Sequence, residues 1–289
     1  MTTIKNVLFI LILLFVGCHP KLQNKVIEKY TIILDGVYVE QFDSTNTASD
    51  RYTIDNKIYK GGNKYTYDFY YEDLVKKKYV FKEVKGASEL PFLERVKAWV
   101  LVPIDSIDNH TITQVNLTVK PDLKQKTSRA PNYSQTVIAY DYPQENGEQK
   151  FNERTGLIEN PKNVWMHPPR KKLFRILELS PFPFIQAPYK VGNKWSWSLK
   201  IGSFWGDKRW KIWDKSITNK YEYEITAIKK IASSLGLLKC YKIKGIAKSE
   251  LGQTMIIAYF NIKYGFIKLE YTNIDSTRII FELTQTNQK

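Results

Sequence analysis

The chain has 289 residues, 43% of them hydrophobic and 14% aromatic, which is too rich in core-forming side chains for a disordered protein. Its 44 Lys and Arg against 29 Asp and Glu give a formal net charge of +15. Two cysteines and three histidines exclude a disulfide-dense scaffold, and no two histidines stand at a metal-ligand spacing, so no metal and no cofactor are expected.

The first feature along the chain is Lys5, followed by an uncharged run from Val7 to Gly17. Its 11 residues are too few for a spanning helix, which needs roughly 20, and suit the apolar core of a secretory signal, which needs about 7 to 15. At its end Phe15-Val16-Gly17-Cys18 resembles the lipobox of bacterial lipoproteins, with Phe15 where Leu is more usual. The resemblance implies cleavage before Cys18 and acylation of its sulfur and its new amine. An ordinary signal peptide or a buried start helix containing a cysteine is the alternative. Two or three acyl chains on one residue make a durable anchor, because each buried methylene adds about 0.8 kcal/mol. The expected organisation is a signal over 1–17, a short basic and polar tether over 18–29, and a β-rich domain over 30–289. No Asp follows Cys18, so the inner-membrane retention signal of some lipoproteins is not matched and the outer membrane is the expected location.

Beyond the tether the period is two. In KYTYDFYYED, Tyr65, Tyr67 and Phe69 fall on one face with Thr66 and Asp68 on the other, the pattern of a half-buried strand. GVYVEQF, KYVFKEV, KAWVLV, TITQVNLTV and QTVIAYDY read the same way, with Gly61-Gly62-Asn63 and Asn146-Gly147 supplying turns. Helical candidates are short and two in number, YEDLVKKK and LPFLERVKAW. Six of the twelve prolines then lie between Pro161 and Pro188, which argues against a regular central strand there. NVWMHPPR, KLFRILELS and PFPFIQAPY are nevertheless too apolar for a solvated linker. An ordered crossing segment packed on the sheet is expected, leaving room for two sub-sheets divided near 161–190.

The C-terminal third is a cleaner succession. Trp195, Trp197, Leu199 and Ile201 alternate with Ser196, Ser198 and Lys200, and five further strand patterns follow to TRIIFELT with connections of a few residues. The run Tyr189 to Trp195, the strand around Cys240 to Ile243, and Tyr259-Phe260 leading to Tyr264-Gly265-Phe266-Ile267-Lys268 resemble the C-terminal region of a group of uncharacterised β-rich bacterial envelope proteins. That likeness covers about 85 residues, implies an antiparallel sheet and transfers no catalytic residue. The fold class is all-β: a large antiparallel curved sheet, sandwich or open barrel, with few short helices.

Chemistry is sparse. Nucleophile-elbow, P-loop and dinucleotide fingerprints are absent. Cys240 alternates with charged neighbours in a strand pattern and reads as a small core residue. The segment from Glu153 to Arg170 is the most unusual, with Glu153, Glu159, Trp165, His167 and Arg170 beside rigid prolines. His167 and Arg170 could grip an anionic group, or Trp165 and the prolines could plug one end of the sheet. Five of seven tryptophans fall between Trp195 and Trp213. They read either as core or as a groove stacking on sugars or acyl chains, and the broken alternation of SFWGDKRWKIW makes Trp205, Trp210 and Trp213 the better binding candidates. The positive charge suits anionic lipid or envelope polymers, since an exported chain does not meet nucleic acid. Two functions remain open: a non-enzymatic, membrane-anchored envelope lipoprotein whose β domain binds an amphiphilic ligand or a partner protein, and an envelope hydrolase acting on glycans.

Overall fold

The computed structural model describes residues 30–33, 36–40, 56–121 and 135–288; Cys18, with the signal and tether segments, lies outside them. Strand forms where the period-two pattern predicts it. Strands β1 (Tyr30–Ile33) and β2 (Val37–Glu40) make a hairpin of their own. A fourteen-stranded sheet then takes β3 (Lys64–Glu72), β4 (Lys78–Glu83), β5 (Trp99–Pro103), β6 (Gln114–Val119), β7 (Thr136–Pro143), β8 (Gln149–Asn160), β9 (Asn163–Met166) and β10 (Phe184–Gln186). It continues with β11 (Lys194–Ile201), β12 (Ile217–Ser233), β13 (Gly236–Ser249), β14 (Gly252–Asn261), β15 (Gly265–Thr272) and β16 (Arg278–Asn287). Every pairing is antiparallel, in the order β10-β9-β8-β7-β6-β3-β16-β15-β14-β13-β12-β11, with β4 and β5 branching from β3.

The two helical candidates resolve differently. LPFLERVKAW contains one helical turn, α1 (Phe92–Arg95), entered through Pro91. YEDLVKKK is the turn between β3 and β4: Asp73 Oδ1 accepts from the backbone N–H of Val75 (3.0 Å) and Lys77 (2.9 Å), and Lys76 adopts a φ of 68°. The aspartate takes the amides that a helix would have used, so local side-chain bonding overrides propensity.

The sheet coils until its two edge strands meet through side chains. Phe184 on β10 packs edge-on against Trp195 on β11 at 5.6 Å between ring centroids, and Trp165 on β9 does the same with Trp197 at 5.8 Å. Asn193 donates from Nδ2 to the Gln186 carbonyl at 2.8 Å, reaching from one edge to the other. The result is an open barrel whose seam is closed by rings rather than by a backbone ladder. The β1–β2 hairpin lies along this seam. Tyr38 N–H donates to Asn163 Oδ1 (2.8 Å) and its carbonyl accepts from Asn160 Nδ2 (2.9 Å), while Gly36 (φ 137°) lies against Ser196 and Trp197, where a Cβ would collide with the Ser196 carbonyl.

The proline-rich segment, where the prolines argued against a regular strand, supplies the short strands β9 and β10 at one end of the sheet, and between them the chain runs through the barrel rather than over it. Lys172–Leu179 is a 3-10 helix, all eight residues of which are buried. Phe174 contacts Phe69 (4.9 Å), Phe81 (5.6 Å), Tyr142 (5.8 Å) and Phe281 (5.2 Å), so it ties early strands to the last one. The Leu179 carbonyl accepts from Asn219 Nδ2 (2.9 Å) and Thr254 Oγ1 (2.8 Å), which satisfies the end of a helix that no water reaches.

Candidate functional site

The Glu153–Arg170 segment folds into a buried polar cluster. Glu153 is set on β8, where alternation turns it inward, and β9 ends just before His167 so that Pro168 and Pro169 fold the chain back over it. Tyr142 donates its hydroxyl to Glu153 Oε1, which also accepts the Arg170 backbone N–H at 2.8 Å. The Arg170 guanidinium lies 3.9 Å from Glu153 and 3.7 Å from Glu178, the latter delivered by the 3-10 helix. His167 places Nδ1 2.9 Å from the Pro168 carbonyl and Nε2 3.3 Å from Arg170 Nη1. Arginine can only donate, so Nε2 must be the unprotonated nitrogen and the ring is neutral with its proton on Nδ1. Burial, and then the charge of Arg170, push the His167 pKa down to about 3, in accord with this geometry. Its 3.5 Å approach to Glu178 is therefore not an ion pair. Burial, opposed by Arg170 and reinforced by Glu153, lifts Glu178 to about 7, and burial likewise raises Glu153.

Glu159 is separate from this cluster. Its Oε1 accepts the backbone N–H groups of Lys57 (2.8 Å) and Ile58 (2.9 Å) and its Oε2 that of Tyr59 (2.8 Å), so both oxygens are committed to holding residues 57–59 against the barrel. Glu153 and the imidazole are likewise bonded to protein groups. An apolar void beside Tyr140, Met166 and Pro169 has about 10 Å³, no larger than one water.

The open space lies elsewhere. A cavity of about 410 Å³ is walled by Trp99 and Leu101 of β5, Leu173 and Ile176 of the 3-10 helix, and Trp210, with Tyr71, Val100, Arg209 and Asp275 completing its lining. Arg209 is fixed in its wall: the guanidinium donates to both oxygens of Asp207 (3.0 and 2.8 Å) and to the carbonyls of Trp99 (3.3 Å) and Lys97 (3.2 Å), and stacks 3.8 Å above the Trp99 ring. Burial opposes ionisation of Asp207, but the Arg209 bonds more than offset it and hold its pKa below the usual range. The indole Nε1 groups of Trp99 and Trp210 are buried and have no hydrogen-bond partner. An unmatched buried donor costs about 1–3 kcal/mol, and neither nitrogen has surface open to the cavity.

Of the sequence candidates, Trp210 lines the cavity, and Trp213 is buried beside it in the chain. Trp205 is half-buried under two cations, Arg170 at 5.8 Å and Arg175 at 5.2 Å. Trp165 packs between Phe182 and Trp197 in the seam, and His167 and Arg170 belong to the polar cluster. The structure brings His167 and Arg170 together with Glu153, and separates all three from the cavity. Trp99, Leu173 and Ile176 were not singled out by sequence, because each sits in a pattern indistinguishable from ordinary core.

No protein-family model and no curated protein matches this chain. Two solved structures resemble it. One is a Bacteroides fragilis NCTC 9343 protein described as exported and as having a YmcC-like fold, with 9% identity and a TM-score of 0.41, covering 80% of this chain and 98% of that one. The other, from Parabacteroides distasonis ATCC 8503, is described as a lipoprotein, with 11% identity and a TM-score of 0.40, covering 80% of this chain and 97% of that one. Similarity at this level assigns no residue a role.

Proposed function

We propose that this chain is a lipid-anchored envelope protein, held in the outer membrane through acylated Cys18, whose barrel is non-enzymatic and receives one apolar chain of an amphiphile between Trp99 and Trp210. The cavity carries the reading. At about 410 Å³ it lies in the range of small-molecule sites, roughly 300–1,000 Å³, and at the end that admits one acyl chain rather than a whole bilayer lipid. Its walls are mostly aromatic and aliphatic, which favours an apolar chain. Glu153, Glu159 and the His167 imidazole, candidates for acid–base catalysis, are engaged by Tyr142, Arg170, backbone amides and the Pro168 carbonyl.

The test is native mass spectrometry of the full chain purified from membranes in detergent. The reading expects a non-covalent amphiphile that leaves on denaturation, and a covalent mass on an N-terminal Cys18 that stays. Ile176→Trp, which fills the cavity, is expected to weaken binding of a fluorescent long-chain acyl ester by about tenfold, which is 1.4 kcal/mol. A free Cys18 thiol overturns the anchor; equal ester binding by parent and variant overturns the cavity.

A further inference from the structure

Two residues of the cavity's lining, Val100 and Arg209, reach an unusual stretch of surface. Phe92 and Leu93 of α1 are 59% and 63% exposed, Val100 of β5 44%, Phe204 43% and Ile212 68%. These side chains come from separate segments that the fold joins. Phe92 stacks on Phe204 with ring centroids 6.2 Å apart and 5° between planes. Arg209 clamps the 207–212 loop to the carbonyls of Lys97 and Trp99, beside Val100. Lys172 reaches from the barrel interior to the Arg95 carbonyl at 2.8 Å, which fixes the end of α1. The patch is thus held rigid from beneath, although its apolar side chains are left without a cover.

Cations interleave these apolar groups. Arg95, Lys97, Lys208 and Lys211 are all exposed, against two exposed acids in the same segments, Glu94 and Asp214. A protein partner is a poor fit, because the cores of protein interfaces are depleted in lysine. Aromatic and aliphatic side chains ringed by lysine and arginine instead match an anionic bilayer, which attracts each cation near its surface and lets apolar groups enter the headgroup boundary.

We propose that this face, built from α1, the start of β5 and the 204–212 segment, docks on an anionic lipid surface. Val100 and Arg209 line the cavity and also belong to this face, so docking brings that part of the cavity wall to the lipid.

The experiment places an environment-sensitive dye on Leu93→Cys or Ile212→Cys of the full chain reconstituted in vesicles containing an acyl-chain nitroxide quencher. Leu237→Cys is the control: Leu237 is 66% exposed on β13 and pairs with Ala232 near the far end of β12, ~50 Å from the start of β12 by strand rise. Cys240 is buried, and the unsubstituted chain labelled in parallel supplies the background. With phosphatidylglycerol in the vesicles, quenching at 93 and 212 is expected to exceed that at 237 by about twofold or more, and to fall toward it in about 1 M salt, where the Debye length shrinks to about 3 Å. The double variant Lys208→Glu/Lys211→Glu is expected to lose most of the difference while keeping its melting temperature. Equal quenching at all three positions, or quenching indifferent to phosphatidylglycerol, overturns the proposal; so does protection of positions 93 and 212 by a co-purified protein or a second copy of the chain. Ile176→Trp separates the two readings, since it empties the cavity of ligand and leaves the docking surface intact.

Discussion

At the scale of single residues, the buried cluster sets two opposed proton linkages. Glu178 has a folded pKa of about 7, above the unfolded value of about 4.3, so its contribution is present at low pH and is lost as pH rises through 7. His167 has a folded pKa of about 3, below the unfolded value of about 6.5, so its contribution is present above 6.5 and is lost as pH falls toward 3. Between about 4.3 and 6.5 the folded chain carries one proton on Glu178 and the unfolded chain one on His167, and the two slopes cancel. Glu153, Arg170, Lys171 and Arg175 also face these groups, so the clean measurement is a difference from the parent. Chemical denaturation of Glu178→Gln against the parent is expected to show the parent losing relative stability from pH 5 to 8, by at most about 1.4 kcal/mol per unit. His167→Gln is expected to show the reverse below pH 6.5. Flat differences in both variants would remove the assigned protonation states. The sequence displayed Glu153, His167 and Arg170 within one unusual segment; it hid Glu178, whose neighbours in KLFRILEL read as apolar packing. Burial decides protonation here, and burial inside a barrel is not a local property of the chain.

At the scale of elements, alternation told where strands lie because the side-chain period of a strand is local. It could not tell that β10 and β11, separated by a few residues around Pro188, stand at opposite ends of the hydrogen-bonded path and still touch. Nor could it reveal the cavity, whose walls come from residues 71, 99–101, 173, 176, 209–210 and 275. The seam is the consequence with the sharpest test. Its closure depends on Trp165, Phe184, Trp195 and Trp197 and on the hairpin whose Gly36 lies against β11. Gly36→Ala places a methyl on the Ser196 carbonyl at a φ that L residues rarely adopt, and is expected to cost on the order of 1–3 kcal/mol. Hydrogen exchange should then accelerate in β9–β10 and in β11 together, leaving β14 and β15 protected, because each of those is flanked by a ladder on both sides. Acceleration confined to the hairpin itself would mean that it decorates the seam without holding it.

At the scale of the whole molecule, the question is how many cooperative units the chain forms. The proline-rich region near 161–190 allowed a division, and the connectivity argues for union. β3, the first strand of the large sheet, lies between β6 and β16, so the last strand is bonded to the first across nine register positions. Phe174 carries the same joint into the core, touching Phe69 and Phe81 on one side and Phe281 on the other. A half that unfolded alone would strip β3 of a neighbour and expose the rings around Phe174, a loss of several buried aromatic contacts with no chain entropy regained in the remaining half. Urea unfolding followed by tryptophan fluorescence and by far-ultraviolet circular dichroism is therefore expected to give one coincident transition. The tryptophans sample β5, the seam and the cavity, whereas the dichroism samples every strand. Phe174→Ala should lower the midpoint by the equivalent of about 3–5 kcal/mol, the range for removing a buried phenyl ring. It should not split the transition, because the β3–β16 ladder remains; two separated midpoints in the parent would show instead that the halves fold as independent units joined only by that ladder.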